Sequence, residues 1–398
     1  MQAQRPPSQS RLSATLLRRA GMRAVDDGFF EVREAGDLAL RCANANYPRA
    51  MLNSLFKKLG SGTALSPTEV GLAVADLTDE SVPAAIKADF LVELARKGET
   101  ADEIAAFAAE LRERSIRLPF DAETRSREML DVCGTGGDHL GTFNISTAAA
   151  IVVASAGVTV AKHGNRAITS KAGSADVLEA LGIPIDLKPE AAAQALKEHH
   201  FAFLFAPHYH PAFKHIVPAR KLCAERGQRT IFNFLGPLLN PARPTCQLIG
   251  VPRPDLCEPM ARVLQGLGIR RGMVVSGRVG DKHLDELSIL GSSEIAEFYQ
   301  DRGFARSVLD AADFPVQPAQ LGDLVGGDRD ANAAIIRAIL AGEDRGPKRD
   351  AVLLNAGAAL FVAGRTKSIG EGWEQAGRQI DSGAAEQKLK TLAGQGKG

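Results

Sequence analysis

Cysteine is sparse. Cys42, Cys133, Cys223, Cys246 and Cys257 are scattered over 398 residues, and no two form a C-x-x-C pair. An odd, dispersed set gives no disulfide framework and reads as reduced thiols in a cytosolic, cytoplasmic protein. Net charge is almost absent too: 48 Lys plus Arg stand against 47 Asp plus Glu, so no overall field points to a nucleic-acid or membrane surface. The longest apolar run, Ala148 to Ala161, is interrupted by Ser155, Gly157 and Thr159 and is too short to span a bilayer. It reads as a buried helix running into a buried strand. No internal repeat and no secretory apolar core are evident. What is present is ordinary globular composition, 45% hydrophobic and 24% charged, in a chain long enough for a sizeable core. A small molecule is the default partner.

Residues 1–40 stand apart. MQAQRPPSQSRLSATLLRRAGMRAV carries five arginines and no acid, a composition resembling a transit peptide, and is read as a mobile N-terminal extension. Residues 41–121 read as a helical domain. SPTEVGLAVADLTD opens on Ser66 with Glu69 three positions later, and TADEIAAFAAELRERS opens on Thr100 before an apolar stripe at Ile104, Phe107, Ala108 and Leu111. After Pro119 short apolar runs alternate with amphipathic segments. EMLDVCG, VTVAKHG, FAFLFA, TCQLIGV and RGMVVSG are strands, and SADVLEALG, PEAAAQALKEHH and DLCEPMARVLQGLG are helices. That alternation predicts an α/β fold with a mostly parallel sheet covered on both faces, built from 122–206 and 231–398. HPAFKHIVPARKLCAER interrupts it with one long helical stretch, so that 207–230 would pack back on the helical domain.

Three clusters carry the chemistry. In DVCGTGGDHLGTFNIST, Cys133 ends a strand and Gly134, Gly136 and Gly137 form the turn beyond it. The turn precedes a helix from about Ile145, an arrangement that aims backbone N–H groups and a helix N-terminus at one space and suits phosphate. Asp138, Asn144, Ser146 and Thr147 are more polar groups than turn chemistry alone needs. In AKHGNRAITSKAGSAD, Lys162 and His163 leave a strand and Ser170, Lys171 and Ser174 precede another helix, so two donor-rich loops fit one ligand with phosphates at two ends. In HLDELS, Asp285 and Glu286 are adjacent acids; such a pair suits Mg²⁺ if the fold brings it to the glycine loop, and is a solvated loop otherwise. HYHP, with His199, His200 and His215 nearby, invites a zinc site but lacks a cysteine partner or an H-E-x-x-H frame.

GTGGD, TFNIST, KHGNR, GSADVLEALG, RTIFNFLGPLLNP, DELS and RDAVLLNAGAALFVAG, in this order, resemble the anthranilate phosphoribosyltransferases of tryptophan biosynthesis. The likeness runs from about Met51 to near Leu392. It implies a small N-terminal helical domain hinged to a larger α/β domain, a homodimer associating through the helical domains, and transfer of phosphoribosyl from phosphoribosyl pyrophosphate (PRPP) to the amine of anthranilate. The products are N-(5-phosphoribosyl)anthranilate and pyrophosphate. It further implies that Gly134, Gly136, Gly137, Asp138, Thr142, Asn144, Ser146, Thr147, Lys162 and Ser174 bind PRPP. Ser146, Asp285 and Glu286 would bind Mg²⁺, and Gly134, His163, Asn165 and Arg220 would face anthranilate. No covalent intermediate is expected; catalysis would come from positioning and electrostatics.

Two departures bear on this. The stretch KLCAERGQ beyond Arg220 is about three residues longer than the family usually has, which offers a reshaped acceptor pocket and makes Arg226 a competitor for the carboxylate role. Ala172 stands where the family commonly has serine. Two rival readings follow: a PRPP-dependent transferase with a different aromatic acceptor, and a non-catalytic relative that binds nucleic acid, for which a basic groove and eroded acids are expected.

Overall fold

The structure is a computed structural model and describes residues 23–25, 29–31, 51–167, 171–300 and 303–395. Cys42, Ser170, most of the 1–40 extension and the first ten residues of the expected helical segment therefore lie outside the described residues. Arg23–Val25 (β1) pairs antiparallel with Phe29–Glu31 (β2) as a small unit of its own.

The second unit begins at Met51. Its helices are Met51–Gly60, Pro67–Thr78, Ala84–Lys97 and Ala101–Glu113, the second and fourth of which start at capping boxes. The Ser66 hydroxyl accepts from the Glu69 amide while the Glu69 carboxylate accepts from the Ser66 amide at 2.7 Å, and Thr100 and Glu103 repeat the exchange. Each box satisfies two amides that a helix start leaves without partners, worth about 1 kcal/mol per cap. Glu103 does more: buried, it also accepts from the Leu65 amide at 2.8 Å and from Lys97 Nζ at 2.6 Å.

The expected single helix across 210–226 is two pieces, a 3-10 turn Pro211–His215 and a helix Val217–Glu225. Pro218 has no N–H to donate back into the preceding turn, so the helix cannot run through Ile216. The second piece buries Ala219 and Cys223 and packs against the helix Ala84–Lys97, with Ile216 buried at the junction. Buried Lys87 fastens the contact, donating to the Asp79 carbonyl at 2.6 Å and the His215 carbonyl at 2.9 Å.

The main sheet comprises Met129–Gly134 (β3), Thr159–Gly164 (β4), Phe201–Phe205 (β5), Cys246–Gly250 (β6), Arg271–Val279 (β7), Lys282–Leu284 (β8), Ser293–Tyr299 (β9) and Gly303–Leu309 (β10). Its order is β10-β9-β7-β6-β3-β4-β5, with β8 beside β7. The five strands read from the sequence, β3 to β7, are the parallel ones; β8, β9 and β10 join antiparallel at one side. These three escaped sequence reading because β10 is largely exposed and β9 alternates with Glu294 and Glu297, which masks an apolar run. Period-2 alternation sends Val132 and Leu248 to one face, into the core of the largely buried helix Ile145–Ser155, and Cys133 and Ile249 to the other, into the core that holds Phe107 and Leu111. The covered sheet leaves the carboxyl ends of β3, β4 and β7 as the place where loops can hold a ligand.

Candidate active site

A cleft of about 850 Å³ opens at those strand ends. The turn after β3 supplies its floor. Gly136 (φ 78°) and Gly137 (φ 88°) take left-handed backbone that disfavours a side chain, and Gly134 is pressed so close to the acidic pair that a Cβ there would stand 2.3 Å from Asp285 Oδ2. Asp285 Oδ2 accepts from the Gly136 amide at 2.6 Å and Glu286 Oε1 from the Ser146 amide at 3.1 Å. The fold thus brings the acids of the β8 hairpin to the glycine loop, 149 and 140 residues away in sequence.

Burial dominates the electrostatics of this pair. It raises the Asp285 carboxyl well above the ordinary range, reinforced by the neighbouring Asp138 and Glu286 charges. Glu286 is pushed up by burial to about 7, opposed by Lys162 and the Ser146 amide. Lys162, itself buried, leaves β4 to donate to the Val132 carbonyl at 2.7 Å and to Ser146 Oγ at 3.4 Å. Asp138 Oδ1 accepts from the Leu140 amide, while its Oδ2 is buried without a partner. The Thr147 hydroxyl is likewise buried and unpartnered. Among the described residues no three His, Cys, Asp or Glu side chains form a ready-made metal set.

The second wall comes from the segment after β4. His163 Nε2 faces His210 Nε2 at 3.2 Å, the rings edge to face. Burial, and for His163 the His210 ring beside it, depresses them to about 3 and about 4, so both are neutral near pH 7. Beneath them Asp131, fully buried, accepts from the His163 amide at 3.4 Å and from Asn240 Nδ2 at 2.9 Å; burial lifts its carboxyl to about 6. Asn165 turns its carbonyl to the Ser174 hydroxyl and the Ala175 amide, and Asp176 accepts from the Ala167 and Gly173 amides, closing the loop on itself. Ala172 contributes its backbone here: its carbonyl accepts from Asn144 Nδ2.

Thr142 pairs with Val325 across an isolated bridge. Arg220 lies 5.3 Å over the Phe232 ring on the opposite rim, its guanidinium made less basic by burial. The residues that the resemblance assigns to PRPP, Mg²⁺ and anthranilate all line this one cleft. Arg226 does not: it stands at the C-terminal cap of the helix Val217–Glu225 and points outward to Asp89 at 2.8 Å. The sequence reading missed Asn332, His210 as the partner of His163, and Arg229, all facing the same space or its lining. Asn332 carried a signal, an amide side chain on the apolar face shared by Ala333, Ile336 and Ile339.

Residues 126–386 match the glycosyl transferase family a/b domain, and residues 53–115 match the helical bundle domain of the same family. The anthranilate phosphoribosyltransferase of Moorella thermoacetica is 48% identical over 344 residues, 86% of this chain and 97% of its own length. That of Methanocorpusculum labreanum is 45% identical over 343 residues, covering 86% and 97%. Among solved structures, the Thermus thermophilus anthranilate phosphoribosyltransferase superposes with a TM-score of 0.78 at 41% identity, covering 86% of this chain and 99% of that one. The Saccharomyces cerevisiae protein in complex with PRPP and Mg gives 0.77 at 27% identity, covering 87% and 98%. Helical segment, sheet, cleft and these likenesses agree that the chain belongs to the glycosyl transferase family and, within it, is an enzyme of the anthranilate phosphoribosyltransferase type.

Proposed function

We propose that the cleft holds PRPP along the glycine loop and the β4 loop, with anthranilate entering between His163, Asn165 and Arg220. The observation that carries this is the convergence of two donor-rich strand-end loops and a buried acidic pair on one space. The amides of the turn at Gly134, Gly136 and Gly137 and the start of the helix Ile145–Ser155 suit pyrophosphate oxygens. Thr142, Asn144, Ser146, Thr147, Lys162 and Ser174 add side-chain donors around them, beside Asp138.

The acids fit Mg²⁺. Asp285 and Glu286 are buried with raised carboxyl pKa values, and Asp138 leaves an oxygen unpartnered beside them. Such an arrangement of like charges favours a divalent cation held by one or two carboxylates, waters and substrate phosphate. Asp285, Glu286 and the Ser146 hydroxyl would hold it, and bound there it supplies neutralising charge to the pyrophosphate.

The reaction breaks the bond from ribose C1 to pyrophosphate oxygen, the electron pair leaving with the oxygen, and forms a bond from C1 to the anthranilate nitrogen on the opposite side. An aromatic amine is already neutral near pH 7, so no strong base is required, and its surplus proton passes to water. The chain's task is to orient the two reactants and to stabilise the leaving charge with preorganised donors. His163, kept neutral, serves as a hydrogen-bonding wall rather than an acid. Arg220, with its planar guanidinium braced on Phe232, suits the anthranilate carboxylate.

Loss of anthranilate fluorescence in the presence of PRPP and Mg²⁺ tests the reading. Turnover that needs the metal and disappears in an Asp285→Asn, Glu286→Gln double variant supports it; PRPP binding without turnover would shift the acceptor to another aromatic compound, and no PRPP binding would overturn it. The same reading includes a cytoplasmic homodimer joined through the helical segments, which sedimentation equilibrium tests.

A further inference from the structure

Asn144 occupies the N-cap of the helix Ile145–Ser155, yet its side chain makes no capping bond. Asparagine is among the best capping residues because its oxygen can accept from the first turn. Here that oxygen is engaged elsewhere. Asn144 Oδ1 accepts from Asn332 Nδ2 at 2.9 Å, and Asn144 Nδ2 reaches the Ala172 carbonyl at 3.4 Å. Asn332 lies in the first turns of the helix Arg329–Leu340, is 3% exposed, and its own Oδ1 accepts from the Gly327 amide at 2.8 Å.

The surroundings lock the pair in register. Backbone bonds join the Phe143 amide to the Leu324 carbonyl and the Gly326 amide to the Gly141 carbonyl, and Thr142 bridges Val325. The two segments pack so tightly that a Cβ on Gly326 would stand 2.5 Å from Asn332 Oδ1 and 2.7 Å from Phe143 Cα. Asn332 thus spans a seam between the glycine loop and a helix 188 residues further on. A buried amide with one hydrogen on Asn144 and its oxygen on Gly327 has no freedom to flip, and this fixes which atom of Asn144 faces which partner.

We infer that Asn332 is a positioning residue for PRPP: it holds Asn144 out of its cap and presents its amide group to the cleft. This rests on the reading that Asn144 contacts PRPP. The Asn332→Asp variant keeps volume and the acceptor for Gly327 but, ionised, cannot donate to Asn144. Losing a single hydrogen bond that orients a ligand contact corresponds to roughly a tenfold effect on affinity.

The test is isothermal calorimetry of PRPP with Mg²⁺, together with steady-state kinetics, on Asn332→Asp, Asn332→Ala, Asn144→Ala and the double variant Asn144→Ala, Asn332→Asp. The expected result is a PRPP Kd and KM raised roughly tenfold in Asn332→Asp, with the anthranilate KM unchanged. The double variant should bind no more weakly than Asn144→Ala alone, because one residue acts through the other. If Asn144→Ala weakens PRPP while Asn332→Asp binds as the parent does, or if the two effects simply add, the inference is overturned. If Asn144→Ala itself binds PRPP normally, the underlying contact is wrong and the inference goes with it. Equal losses for both substrates that track a lowered melting temperature would mark Asn332 as structural only.

Discussion

Gly134 and Asp285 approach so closely that the position of one carboxylate is set by the absence of one methyl group: a Cβ on Gly134 would sit 2.3 Å from Asp285 Oδ2 and 2.9 Å from its backbone oxygen. Gly134→Ala should therefore displace Asp285 from the Gly136 amide. A shift of about 1 Å in a positioned group can cost on the order of 100-fold in rate. We expect kcat/KM for PRPP to fall by about that factor, with a shift in the Mg²⁺ dependence, while far-UV circular dichroism stays that of the parent. Parent-like metal dependence would refute the link.

Arg220 and Arg226 separate two accounts of the acceptor pocket. Arg220 lies over Phe232 inside the cleft and Arg226 pairs with Asp89 outside it. Arg220→Ala should raise the anthranilate KM by at least about tenfold, the scale of a lost charge-assisted hydrogen bond. Arg226→Ala should leave it unchanged. The reverse order in initial-rate measurements would return the carboxylate role to Arg226.

Glu103 is a stability prediction remote from the chemistry. Its buried carboxylate serves Lys97, the Leu65 amide and the Thr100 amide at once. Glu103→Ala leaves a buried ammonium without its counter-charge, a loss of about 3–5 kcal/mol. Urea denaturation should show it, with turnover per folded molecule unaltered; a loss under about 1 kcal/mol would mean that water reaches Lys97.

The His163, His210 and Asp131 cluster predicts a pH signature. The histidines are depressed to about 3 and about 4, so the unfolded chain binds their protons first and stability is lost as pH falls below the free-histidine value near 6.5. Asp131, raised to about 6, has the opposite sign: the folded chain keeps its proton up to that pH, and its contribution is lost as pH rises through 6. Between pH 4 and 6 it offsets one of the two histidines. Asp131→Asn should remove the offset and steepen the acid loss of unfolding free energy by about 1.4 kcal/mol per pH unit. Identical slopes for parent and variant in urea titrations would show that Asp131 is ionised in the fold.

Local signals were legible where one residue settles a local conformation. The caps at Ser66 and Thr100, the glycine turn after Cys133 and the five parallel strands all follow from short-range chemistry and periodicity. The antiparallel strand β10 was not legible, because an exposed edge strand carries no apolar run to mark it. Pro218 was visible in the sequence, but that it would split 210–226 at Ile216 depended on what that segment packs against.

The sequence by itself determined the parts: which loops are rich in donors, where two acids stand side by side, and which residues can turn tightly. Whether Asp285 and Glu286 were a solvated pair or faced the glycine loop was left to the sheet, which carries the β8 hairpin across to Gly136 and Ser146. The same holds for Asn332 beside Asn144, His210 against His163, and Arg226 turned to Asp89. A residue's conformation is governed by its neighbours in the chain, but its charge state and its partners are governed by what is buried around it, and only the packed tertiary structure decides that.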